Sequence, residues 1–372
     1  MNLCGSLTLI LALVIGGLYS GALTRIGIFD YIDDLELAGG NKVLMGMFPA
    51  THAKKPFGFT PSDMPNLQGQ TYVVTGGNVG LGKWTAHYIA KAGGRVVVAC
   101  RSVDKCKAAV KDLQEETGSK KIDPMVLDLA SFKSIKSFSE MLSKKYPEIN
   151  GLVLNAGIMV CPFALTEDGI ESQIGVNHFG HFYLTQLLLP LLEKSANAAT
   201  VTVVSSSEHY SSYAEGVKLS LEQLNDPEVY ELRNAYGQSK LANVLFAQEL
   251  AVRVKAKNIL VNSLHPGYVD TELIRHVVSQ FKVVFGDRIG DFLYEYVFPR
   301  AGRGLWSPEQ AALTQVYCAV SKDIRAKKIT GKYFHPIARQ AQPDKLHASN
   351  VTLQKKFWEL SEQVIKSKTS KM

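Results

Sequence analysis

Thr71-Tyr72-Val73-Val74-Thr75-Gly76-Gly77-Asn78-Val79-Gly80-Leu81-Gly82 sets an apolar, β-branched run directly before a glycine-rich turn, and a helical pattern follows from Lys83 to Ala92. A run bounded in this way reads as a strand feeding a helix. Outward from it the alternation continues. Apolar runs recur at Arg95–Cys100, Ile122–Leu127, Gly151–Leu154, Thr200–Val204, Ile259–Leu264 and Lys332–Phe334, with helical patterns between them. Runs that are apolar nearly throughout belong to strands covered on both faces, which predicts a parallel sheet between two layers of helix. The fold class expected is α/β, a doubly wound parallel sheet in a single domain over residues 66–366.

The composition agrees. Hydrophobic residues make up 46% of the 372 and charged residues 20%, enough for a sizeable core. The net charge of +7 is spread along the chain, with no basic stripe interleaved with aromatics, so nucleic acid is not an expected partner. The five cysteines, Cys4, Cys100, Cys106, Cys161 and Cys318, show no CxxC spacing and no Cys/His cluster. Neither a disulfide framework nor a metal site is expected, and Cys100 reads as a small core residue. His178 and His181 are spaced for a shared helix face, and helix packing is their expected role.

Residues 3–23 carry no charge, and at ~1.5 Å per residue they can span ~30 Å of hydrocarbon. A signal anchor and a cleaved signal peptide, over 1–25, both remain open. The first implies a membrane-associated protein of the endoplasmic reticulum, the second the lumen of the secretory pathway. Residues 26–65 read as a connector, with Pro56, Pro61 and Pro65 near its end, and 367–372 as a polar tail. The final Ser370-Lys371-Met372 lacks the Leu of a peroxisomal address.

The glycine-rich turn after the first strand is where a Rossmann-type sheet receives a dinucleotide. Glycine lets the backbone come close to the ligand, and the helix N-terminus offers N–H groups to a pyrophosphate. The second strand ends Val98-Ala99-Cys100-Arg101-Ser102. An acidic residue there would bond the ribose 2′-hydroxyl of NAD. Arg101 stands near that place instead, and its guanidinium suits the 2′-phosphate of NADP, which is expected in preference to NAD.

Thr75-Gly76-x-x-x-Gly80-x-Gly82, Asp128, Asn155-Ala156-Gly157, Asn177, Ser206, Tyr236-x-x-x-Lys240 and Pro266-Gly267 follow one another in the order of the short-chain dehydrogenase/reductase family, which the chain resembles over about 270 residues. Ala99-Cys100-Arg101-Ser102, Val176-Asn177-His178-Phe179-Gly180-His181-Phe182 and Tyr236-Gly237-Gln238-Ser239-Lys240-Leu241-Ala242-Asn243 are most similar to its retinol dehydrogenase-like, membrane-associated members. The resemblance implies an NADP(H)-dependent oxidoreductase with Asn177, Ser206, Tyr236 and Lys240 as its catalytic set. Of Ser205, Ser206 and Ser207, the family's Ser-Ser pattern selects Ser206. It also implies that Gly76, Asn78, Gly80, Leu81, Gly82, Arg101, Asp128, Leu129, Asn155, Ala156, Gly157, Tyr236, Lys240, Pro266, Gly267, Val269 and Thr271 hold the cofactor. Asp128 and Leu129 would meet the adenine, and Lys240 the nicotinamide ribose.

Elementary chemistry supports the central pair. A phenol with a pKa of ~10 is a poor base near neutral pH. In a helix, Tyr236 and Lys240 point the same way, and an ammonium beside a phenol stabilises its phenolate. The resemblance further implies that Asn177 sits where its helix bends, relaying protons through water to Lys240, and that residues 211–226 are an insertion at the substrate mouth. It also implies that residues 272–306 form a lid, which here carries Phe281, Phe285, Phe292, Tyr294, Tyr296, Phe298 and Trp306. An apolar lid suits a hydrophobic alcohol or carbonyl, of retinoid, polyprenoid or steroid type. The resemblance leaves room for a homodimer. Two other readings compete: an idle nucleotide-binding sensor or scaffold, which has no need of Ser206, Tyr236 and Lys240 together, and a reductase of tetrapyrrole double bonds.

Overall fold

The computed structural model describes residues 58–267, 269 and 306–370. The expectations placed on 1–57, on Thr271 and on the lid before Trp306 therefore lie outside the described residues.

Strand β1 (Thr71–Thr75) leads through the glycine turn to helix α1 (Gly80–Lys91), and then come β2 (Arg95–Cys100), α2 (Val103–Thr117), β3 (Ile122–Val126), α3 (Phe132–Lys145) and β4 (Gly151–Leu154). Helix α4 (Gly180–Glu193) precedes β5 (Ala199–Val204), and the long α5 (Leu232–Arg253) precedes β6 (Ile259–Leu264). Beyond the undescribed stretch come α6 (Pro308–Val320), β7 (Tyr333–His335), β8 (Arg339–Ala341) and α7 (Val351–Thr369). The strands form one sheet in the order β3-β2-β1-β4-β5-β6-β7-β8. All neighbouring pairs are parallel except β7 with β8, an antiparallel hairpin. The doubly wound α/β sheet expected from the apolar runs is present. The short polar β8 (Arg-Gln-Ala) extends it at the edge.

Alternation along each strand divides the core in two. Val73, Val97, Leu152, Leu154, Val201 and Val203 face one layer, with Phe138 of α3, Leu188 of α4 and Leu245 of α5. Tyr72, Val74, Val96, Val98 and Val153 face the other, with Ile89 of α1, Leu113 of α2 and Val316 of α6. A period of two points successive side chains to opposite faces, so burial of both makes these strands apolar nearly throughout. Phe59, inside the stretch read as a connector, packs edge-on against Tyr317 at 5.6 Å.

Helix α7 lies over α4 and α5. The Trp358 ring meets Phe182 at 4.7 Å and Phe246 at 5.9 Å, with the Arg253 guanidinium 4.4 Å from its centre. His178 is buried among the same rings, 4.8 Å from Phe357, and its Nε2 lies 2.9 Å from Ser361 Oγ. Burial first, and His181 second, push its imidazole down to about 3. Helix packing is thus the place the fold gives it.

One cysteine expectation is corrected. No disulfide was expected, yet Cys100, buried in the core as read, is joined to Cys106 in a disulfide with the two Cα atoms 5.8 Å apart. Cys100 ends β2 and Cys106 lies in the first turn of α2, and the tight turn between them, capped by Ser102, folds the chain back on itself. Cys161 and Cys318 are unpaired thiols.

Candidate active site

Strand order reverses between β1 and β4: the chain moves outward to β3, then crosses back to the other side of β1. The two exit turns diverge there, leaving a crevice at the carboxyl ends of the strands. The first exit turn contains Gly76 and Gly80, with φ of +65° and +53°, in the left-handed region that favours glycine. Gly82 is needed for a different reason. A Cβ there would run into the Gly76 carbonyl oxygen and stand 2.6 Å from Asn155 Nδ2. Helix α1 starts without a side-chain cap, so its first N–H groups remain for an anion. Asn78 and Leu81 are half-buried beside them.

Thr75 ties the two exit turns together. Its hydroxyl accepts from the backbone N–H groups of Asn155 at 2.9 Å and Ala156 at 3.0 Å, while Asn155 Nδ2 donates to Thr75 O at 2.9 Å. Asn155, Ala156 and Gly157 stay half-buried along the crevice. Arg101 is exposed at the carboxyl end of β2, next to β1. Asp128 is half-buried, its Oδ1 accepting from Ala130 N at 2.9 Å. The Leu129 side chain is committed to the core. Pro266 and Gly267 are buried after β6, and Val269 is bridged to Trp306, itself 2% exposed. This cradle, with its uncapped helix start, fits a dinucleotide.

The catalytic candidates come from β5, α5 and the segment before α4. Tyr236 and Lys240 share the inner face of α5, with Lys240 Nζ 5.6 Å from the Tyr236 ring centre. Burial alone pushes the Lys240 ammonium down to about 8. Ser205 Oγ donates to Lys240 O at 2.7 Å, which commits that serine to holding α5 against β5. Ser206 is half-buried, and its Oγ accepts from Glu208 N at 3.2 Å, an arrangement that uses a lone pair and not its proton. Gly237 lets α5 press on the short turn Ser207–Ser211, since a Cβ there would stand 2.7 Å from Glu208 O. That contact sets Tyr236 beside the turn that Ser206 begins.

Asn177 lies in a π-helical turn, Gly175–Phe179, which is the bend expected of this segment. Its side chain bonds Ile158 N and O, both at 2.9 Å, and donates to Ser239 Oγ at 2.9 Å. Its carbonyl oxygen accepts from His181 Nδ1 at 3.0 Å, and His181 Nε2 faces Thr75 Oγ1 at 3.0 Å. A Cβ on Gly157 would sit 3.1 Å from Asn177 Oδ1 and 3.3 Å from Lys240 Nζ, so Asn177, Lys240 and the β4 turn converge at one point. Sequence reasoning missed the bonding roles of Thr75 and Ser239, and it gave His181 a packing role only, without its contacts to Asn177 and Thr75. A signal existed for Thr75, a hydroxyl ending an apolar strand directly before the glycines.

The sequence profile described as short chain dehydrogenase matches residues 70–217 and 227–281. The chain is 40% identical to retinol dehydrogenase 13 of Mus musculus over 276 residues, covering 74% of this chain and 78% of that one. It is 37% identical to retinol dehydrogenase 11 of Homo sapiens over 298 residues, covering 79% and 85%. Among solved structures, an uncharacterised protein from Mycobacterium Paratuberculosis is similar with a TM-score of 0.61 and 33% identity, over 83% of this chain and 98% of that one. The crevice, the pair on α5 and these likenesses agree: the chain belongs to the short-chain dehydrogenases, and it is a nicotinamide-dependent oxidoreductase that interconverts alcohol and carbonyl groups.

Proposed function

We propose that the enzyme uses NADP(H) to interconvert a hydrophobic alcohol and its carbonyl, of retinoid, polyprenoid or steroid type, with Tyr236 as acid/base. The observation that carries this reading is a buried ammonium beside a buried phenol: Lys240 is 4% exposed and Tyr236 5%, and Lys240 Nζ lies close to the Gly157 turn along the crevice. The bound nicotinamide supplies or accepts the hydride. In reduction, Tyr236 gives its proton to the substrate oxygen, which Ser206 holds with its hydroxyl. Lys240 favours the phenolate that remains. The Asn177 carbonyl has a second lone pair beyond the His181 bond, which can hold a water, and that water passes a proton towards Lys240.

Gly76, Asn78, Gly80, Leu81 and Gly82 would hold the pyrophosphate, and Asp128, the backbone of Leu129 and Asn155 to Gly157 the adenosine side. Pro266, Gly267, Val269 and Thr271 would close over the nicotinamide. The names of the relatives support a hydrophobic substrate. The uncharged run at 3–23 would keep the enzyme at the membrane in which such a substrate dissolves. Among the described residues no helix is long and apolar enough to cross a membrane.

Two measurements test this. NADPH oxidation by the full chain in detergent should proceed with all-trans-retinal at a kcat/KM about 100-fold above that for a polar ketose, since each apolar group buried in a pocket adds selectivity. Preference for the ketose overturns the substrate class. Arg101→Ala should raise the KM for NADPH about 30-fold through loss of a charge-assisted contact, and change that for NADH less than about 3-fold. Equal losses with both cofactors remove the 2′-phosphate role.

A further inference from the structure

His209 is fully buried three residues beyond Ser206, in the turn Ser207–Ser211. Its ring bridges two segments far apart in the chain. Nδ1 lies 2.6 Å from the Ser206 carbonyl oxygen, and Nε2 accepts the backbone N–H of Asp344 at 3.0 Å. A backbone N–H only donates, so Nε2 is the acceptor and Nδ1 carries the proton towards Ser206. The ring packs against that of Tyr210, with centroids 4.1 Å apart and planes tilted by 38°, and Tyr333 Oη stands 3.4 Å from Nδ1.

The strap after β8 is held to the same region at further points. Tyr210 Oη donates to Gln342 O at 2.9 Å. Asp344 Oδ2 meets His347 Nδ1 at 2.7 Å, and the far nitrogen of that ring lies 3.1 Å from Ala214 O. The chain that follows His209 is thereby anchored to the strap. Ser206 has extended backbone (φ −159°, ψ 157°), and its carbonyl also takes the His209 N–H at 3.1 Å.

We propose that His209 is a positioning residue that fixes Ser206 by clamping its carbonyl to the strap at Asp344. It does not touch the reacting atoms. It sets the peptide from which the Ser206 hydroxyl projects, and a small displacement of a positioned group lowers turnover steeply. Imidazole suits the task because it places a donor and an acceptor on opposite sides of a flat, buried body. The proposal rests on the assignment of Ser206 to the substrate oxygen.

The test separates the two sides of the ring and uses NADPH-dependent reduction of all-trans-retinal and of decanal by the full chain. Asn keeps a donor near the Nδ1 position, and Gln an acceptor near Nε2. Each variant keeps one end of the bridge and loses the other, so His209→Gln and His209→Asn should each lower kcat about 20-fold with the KM for NADPH unchanged. Circular dichroism and NADPH binding check that each variant is folded. Turnover within about 3-fold of wild type in either folded variant, or a loss that falls on the KM for NADPH instead of kcat, overturns the proposal. Ser206→Ala combined with His209→Gln should be no slower than Ser206→Ala alone, because a clamp on an absent hydroxyl has nothing left to position. Additive losses overturn the clamp while leaving Ser206 in its role. A Ser206→Ala enzyme as fast as wild type overturns both, and is recognised by that single variant.

Discussion

Tyr236→Phe lowers turnover about 1,000-fold while NADPH still binds within about 2-fold of wild type, because general acid–base catalysis contributes about 10²–10⁴ in rate. The substitution removes one oxygen from a side chain that is 5% exposed, and leaves the ring packed beside Lys240. The glycine turn and the Thr75–Asn155 bonds that hold the nucleotide cradle lie on other elements and do not change. The loss therefore falls on kcat and on kcat/KM alike, as expected for a group that acts in the transition state. Stopped-flow hydride transfer and equilibrium NADPH titration measure the two quantities separately. Turnover within tenfold of wild type would remove Tyr236 from the chemistry.

The parts of this molecule that were legible in the sequence share a physical origin. Strands β1, β2, β4, β5 and β6 are covered on both faces, so their residues are apolar nearly throughout, and the runs could be counted. Gly76, Gly80 and Gly82 stood out because no side chain fits their backbone or their neighbours. Tyr236 and Lys240 were readable because one helical turn separates them. What stayed hidden depends on contacts between distant segments. β8 is three residues at a sheet edge, with no periodicity to notice. The pairing of Cys100 with Cys106 depends on how sharply the chain turns between β2 and α2. The bridge from His209 to Asp344 joins residues 135 apart in sequence, and no local pattern announces it.

Lys240→Met separates the cost of the site from its use. The variant should slow turnover about 100-fold, since it removes the charge that favours the phenolate. It should also make the cofactor-free protein more stable at pH 7. Lys240 is 4% exposed, its Nζ is 3.4 Å from Val204 O, and burial pushes its ammonium from 10.5 down to about 8. At about 1.4 kcal/mol per pH unit this is a penalty on the order of 3 kcal/mol in the protonated state. Met fills a similar volume without charge, and the Val204 carbonyl keeps its bond from Asn243 Nδ2 at 3.1 Å. Allowing for the lost Nζ bond, the net gain is about 2 kcal/mol, or roughly 4 °C in Tm. The pH dependence has a fixed sign. Because the folded pKa lies below the unfolded one, the folded state binds fewer protons between pH 8 and 10.5, and wild-type stability rises with pH across that window. The advantage of Met is therefore full below pH 8 and fades as pH climbs towards 10.5. Thermal melts of both proteins at pH 7 and pH 10 measure it. A variant less stable than wild type at pH 7, or an advantage that grows with pH, would show that the buried ammonium is not the strained group the fold makes it.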